Sequence, residues 1–248
     1  MKPTWMASVP IVLASFILLV ADSACDRHAT VPEEKPKAFG SAVVSISGEK
    51  QAAGVGSQLD QPVVVQVNDA KGAAAAGALV RFTGVRGVSF RPDRGLTGSD
   101  GQFTTIVTLG GMPGHYQIIA ATLTAAGKPA EIRIDEIALG YQEMLGAQVS
   151  DIHCVRCHDS ESTAERVSNH DNLDPPPHAF TDGSILNPMT NASLLAMIGH
   201  GGPALNKSAE MPPYGNTLTK AEIEALIAYL RAVADPPYHP EGVFYAGN

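Results

Sequence analysis

The sequence predicts two folded domains in tandem, an all-β sandwich followed by an all-α domain. Short apolar runs of period two, separated by Gly, Asp and Asn, fill residues 39–139, whereas from residue 140 onward apolar residues recur at three- and four-residue intervals. The 248 residues suffice for two hydrophobic cores, and 44% hydrophobic against 17% charged residues is a globular composition. A formal net charge of -8, with no Lys/Arg cluster, argues against a nucleic-acid partner.

Residues 1–24 have the make-up of an export signal. Lys2 supplies charge, residues 11–20 (IVLASFILLV) are apolar without a break, and small residues lead up to Cys25. The apolar run is too short for a comfortable membrane span. Its end, Ser23-Ala24-Cys25, resembles the lipobox of bacterial lipoproteins, whose cysteine carries the lipid and becomes the mature N-terminus. Asp22 departs from the apolar residue usual there. The resemblance implies lipid attachment at Cys25 and a membrane-tethered location on the periplasmic side or the cell surface; ordinary secretion with Cys25 as a free thiol is the alternative. Residues 25–38 are polar and broken by Pro32 and Pro36, which is linker composition.

In the β domain, Val63, Val65 and Val67 alternate with Val64, Gln66 and Asn68, and residues 68–72 (NDAKG) supply turn chemistry. Further strands are expected at residues 42–47, 78–82, 102–109, 116–123 and 131–137, and the spacing suggests an antiparallel sandwich of about seven short strands. The stretches PVVVQVNDAKGAAAAGALVRFTG and TGSDGQFTTIVTLGGMPGHYQIIAAT resemble the bacterial immunoglobulin-like repeats of the intimin and invasin type. That resemblance implies an immunoglobulin-like domain at residues 39–139, read as a rigid spacer or docking module, with ligand binding as the alternative.

In the second domain, residues 140–236, a first helix is expected at 141–153, with Met144, Leu145, Val149 and Ile152 on one face. A short helix at 191–199 has Thr190 or Asn191 as its cap and glycines at its end. Thr219-Lys220-Ala221-Glu222 is a capping-box pattern. The helix that it opens carries Ile223, Leu226, Ile227, Leu230 and Val233 on one face, and Asp235-Pro236-Pro237 stops it. Residues 237–248 form a C-terminal tail.

Three cysteines, Cys25, Cys154 and Cys157, cannot make a disulfide framework. Cys154-Val155-Arg156-Cys157-His158 points to haem instead. Two thiols separated by two residues can add to the two vinyl groups of one haem, which places the adjacent imidazole beneath the iron. A zinc site would need further ligands, and a thioredoxin-type pair expects alternating strands and helices around it. A second axial ligand must come from downstream. Met211 lies in the proline-rich stretch AEMPPYG, which cannot be helical and so presents a side chain at a fixed place. Met144, Met189 and Met197 are rival thioethers, and His170 or His178 would give a bis-histidine site. Arg156 either reaches a haem propionate or faces solvent, and His200 sits where a helix end offers backbone carbonyls. No nucleophile-base constellation or Gly-rich phosphate loop stands out, so no catalytic residues are expected.

A helix entering CVRCH, a middle helix ending in GHGGP, the loop MPPYG and a terminal helix beginning LTKAEIEALIAYLRAV together resemble the small class I monohaem cytochrome c family. The resemblance implies an all-α cytochrome c fold whose first and last helices cross. It further implies one covalent haem c on Cys154 and Cys157, with His158 as proximal and Met211 as distal ligand. Such ligation fills both axial positions and favours electron transfer between redox partner proteins, a dehydrogenase or an oxidase, over catalysis. The alternatives are a haem-based sensor or peroxidase with a displaceable methionine, and a cytochrome subunit of a larger respiratory complex.

Overall fold

The computed structural model describes residues 35–163 and 166–240; the expected export signal, Cys25, most of the expected linker and most of the expected tail lie outside the described residues. The β region comprises β1 (Ala42–Ser47), β2 (Ala52–Gly54), β3 (Val63–Asn68), β4 (Leu79–Gly84), β5 (Ser89–Arg91), β6 (Arg94–Leu96), β7 (Gln102–Thr108), β8 (Gly114–Leu123) and β9 (Pro129–Leu139). They form a four-stranded sheet in the order β1-β3-β7-β5 and a five-stranded sheet in the order β2-β9-β8-β4-β6.

The alternation in β3 sets its faces: Val63, Val65 and Val67 are fully buried while Val64, Gln66 and Asn68 stay half-exposed. They meet Val80, Phe82, Ile118 and Ile134 of the other sheet in one core. Each such side chain contributes about 1.5–3 kcal/mol by leaving water. After β3 the Asp69 carboxylate accepts the Lys71 and Ala73 amides at 2.8 and 3.0 Å, and Gly72 takes φ +81° to close the turn.

The sandwich differs from expectation in three ways. Strands β2, β5 and β6 were not anticipated, because three residues are too few to display a period. Strand β2 runs parallel to β9, so the five-stranded sheet is mixed rather than antiparallel. The expected linker ends late: the Lys37 amide already donates to the Gly77 carbonyl at 2.8 Å, and Ala38 bridges to Ala78.

Gly140 alone separates β9 from α1 (Tyr141–His153), whose bounds match expectation. There follow α2 (Val155–His158), α3 (Gly183–Leu186), α4 (Asn191–His200) and α5 (Lys220–Val233). The capping box at α5 is present: the Glu222 amide donates to Thr219 Oγ1 at 3.3 Å, and the Thr219 amide donates to Glu222 Oε2 at 2.7 Å. Helices α1 and α5 cross at Gly146, where a Cβ would overlap the Ala225 carbonyl and Tyr229. The helical core joins Val149 of α1, Leu194 and Ile198 of α4, and Ile223, Leu226, Ile227 and Leu230 of α5. An exposed ion pair, Lys50 Nζ to Asp235 at 2.9 Å, links the β region to the end of α5. No helix among the described residues is long and apolar enough to cross a membrane.

Candidate functional site

The chain breaks its helix at the first cysteine. Cys154 sits at φ -120°, ψ -39°, and α2 restarts at once with the Cys157 and His158 amides both bonded to the Cys154 carbonyl at 3.0 Å. This break turns the CVRCH segment so that Cys154 packs on the helical core while Arg156 points to solvent. Both cysteines are half-buried free thiols. Burial, and secondarily the neighbouring Cys157, pushes the Cys154 thiol up to about 12. Among the described residues no group of three or more His, Cys, Asp and Glu side chains is gathered that could hold a metal ion.

His158 is fixed from outside its own helix. Its Nδ1 lies 2.8 Å from the His178 carbonyl oxygen, which can only accept, so Nδ1 carries the proton and Nε2 keeps its lone pair. Its ring stacks on Phe180 with centroids 4.6 Å apart. Burial lowers the imidazole below its ordinary value and so favours the neutral, ligating form.

The segment between α2 and α3, read from sequence as an exposed insertion with no special role, builds this setting. Arg166 donates to the Val155 carbonyl at 3.1 Å and pairs with Asp159 at 2.7 Å; the Asn169 amide donates to the Arg156 carbonyl at 2.7 Å. Together they clasp α2 from behind. His170 places its Nδ1 2.8 Å from the Asp171 carboxylate and its Nε2 3.0 Å from the Pro177 carbonyl, and the exposed His178 ring faces Asp182 at 3.5 Å. Neither ring is presented as a ligand. His178 matters through its carbonyl, a backbone contact that side-chain identity cannot signal.

Met211 is half-buried against the same apolar cluster as Cys154, Phe180, Leu195 and Tyr214. Its carbonyl accepts the Gly202 amide at 3.0 Å. Gly201, at φ +83°, and Gly202 let the methionine loop lie directly on the end of α4, since a Cβ at either would strike the Met211 or Ser208 carbonyl. Tyr214, which the sequence reading did not single out, donates its hydroxyl to the His153 carbonyl at 2.9 Å. Of the rival thioethers, Met144 lies near Gly54 of β2 and Met189 packs on the helical core. Cys154 and the Met211 thioether share one apolar cluster, the His158 ring stacks on Phe180 of that cluster, and Cys157 is a second free thiol; these are the donor types that a c-type haem requires, so the residues fit that group.

Residues 142–230 match the family model described as cytochrome C oxidase, cbb3-type, subunit III. This helical segment is therefore a cytochrome c domain, and such a domain implies haem c. Among solved structures, the D00-D0 domain of intimin is similar at 17% identity and TM-score 0.31, covering 44% of this chain and 50% of that one. The Yersinia pseudotuberculosis adhesin InvE is similar at 15% identity and TM-score 0.27, covering 38% of this chain and 31% of that one. The chain thus spans half the length of the intimin fragment, and the sandwich is defined by its own strand order rather than by these likenesses. No curated protein matches the chain.

Proposed function

We propose that the chain is an exported monohaem c-type cytochrome that carries electrons between redox partner proteins. In this reading Cys154 and Cys157 attach the haem, His158 is its proximal ligand and Met211 its distal ligand. The group supplies a one-electron couple when bound. The protein's part would be to hold the residues that ligate the group still: His158 through the His178 carbonyl and Phe180, Met211 through the Gly201-Gly202 ledge. Ligands that stay in place keep reorganisation small, which suits electron transfer and leaves no open position for substrate. The observation that carries the reading is the contact of His158 Nδ1 with the His178 carbonyl, which assigns the proton to Nδ1 and leaves Nε2 for ligation in a segment that carries two free thiols. A lipid on Cys25 would tether the carrier and raise its local concentration near membrane partners.

The test is a pyridine haemochrome spectrum of protein matured in a host competent for c-type haem ligation. A c-type spectrum with one haem per chain supports the reading; its absence ends it. The matching family's description favours one second reading, a cytochrome subunit of a larger respiratory complex. Stable copurification with oxidase subunits from solubilised membranes would select it over a free carrier.

A further inference from the structure

We infer that Tyr214 is a positioning residue for Met211, coupling the methionine loop to the cysteine turn; this rests on the haem-ligation reading above. The helix break at Cys154 withdraws an amide from its regular partner, because the Cys157 amide bonds to the Cys154 carbonyl instead of the His153 carbonyl one turn earlier. The His153 carbonyl is thereby left for another donor, and the Tyr214 hydroxyl takes it at 2.9 Å. The Tyr214 ring also lies edge-on to His153, with centroids 5.9 Å apart.

From the other side, Tyr214 anchors the methionine loop. Its amide donates to the Ile198 carbonyl at 2.9 Å, and its carbonyl accepts the Thr217 and Leu218 amides at 2.9 and 2.8 Å. One residue thus ties the α4 end, the start of α5 and the CVRCH turn, three positions after Met211 in chain order. Met211 itself has the two prolines Pro212 and Pro213 between it and this anchor, so the stiff segment transmits the anchor's position. A hydroxyl bonded across to the cysteine turn with the loop seated opposes departure of the thioether.

The experiment compares ferric holoprotein with Tyr214→Phe, which keeps the ring and removes the hydroxyl. The readouts are imidazole displacement of Met211, seen as loss of the charge-transfer absorption at the red end of the spectrum, and the midpoint potential. Imidazole is expected to bind about fivefold more tightly to Y214F, the worth of one net hydrogen bond, with haem still attached. The same substitution in a Met211→Ala background is expected to leave imidazole affinity unchanged, since the coupling partner is gone. Equal effects in both backgrounds, an unchanged affinity in Y214F, or loss of attached haem in Y214F would each overturn the positioning role. If the parent protein itself lacks the absorption that Met211→Ala removes, the Met211 assignment falls first, and the two failures are told apart.

Discussion

The His158 imidazole and its backbone partner lie 20 residues apart in sequence, and the bond between them is 2.8 Å, from His158 Nδ1 to the carbonyl oxygen of His178. The contact uses the backbone of the second histidine, not its ring. It fixes the tautomer and the ring plane, which are what a metal reads in a histidine ligand.

His178→Ala is therefore expected to leave the visible spectrum and the haem content unchanged, because the carbonyl stays. A shift of the spectrum toward an open sixth position would instead make the His178 ring a ligand. Phe180→Ala, which removes the stacking partner, is expected to destabilise the holoprotein by about 2 kcal/mol in urea denaturation, less than for a fully buried phenylalanine.

Met211→Ala should abolish the red-end charge-transfer absorption of the ferric form and admit carbon monoxide to the ferrous form. Retention of that absorption would transfer the sixth position to Met144, Met189 or Met197.

At the α1–α5 crossing, Gly146→Val places a branched side chain where the Ala225 carbonyl already lies. Overpacking of this kind costs about 1–3 kcal/mol, to be read from the denaturation midpoint at unchanged m-value. Gly199, beside which a Cβ meets nothing within 4 Å, serves as the control, and Gly199→Ala is expected to be well tolerated.

The sandwich carries its own pH dependence. Glu136 of β9 is fully buried with one oxygen on the Gln51 amide at 2.7 Å and the other without a partner, and burial raises its carboxyl from 4.5 to about 8. Between those values the fold binds a proton that the unfolded chain has released, so this group's contribution to stability falls as pH rises and levels off above about 8. Glu136→Gln is expected to flatten that slope in urea titrations taken across the window. A slope unchanged by the substitution would assign it to other groups.

The parts of the candidate site legible in the sequence are those written in adjacent letters: the CVRCH segment, whose spacing would suit two vinyl groups, and the α5 capping box, which the structure forms. The valine alternation of β3 and the bounds of α1 follow from periods long enough to count. What stayed hidden has a common cause. The clasp formed by Arg166 and Asn169, the His178 carbonyl and the Tyr214 hydroxyl all act on backbone groups distant in sequence, and a backbone acceptor has no residue identity to read. Strands β2, β5 and β6 take their place by pairing with longer neighbours, not from a pattern of their own.

The central claim is the covalent haem, and intact-mass measurement of the purified protein from a c-type maturation host tests it most directly. The account predicts a chain heavier by one haem, with the increment lost when Cys154 and Cys157 are both replaced by serine. A mass explained by the mature polypeptide and any lipid alone would contradict it.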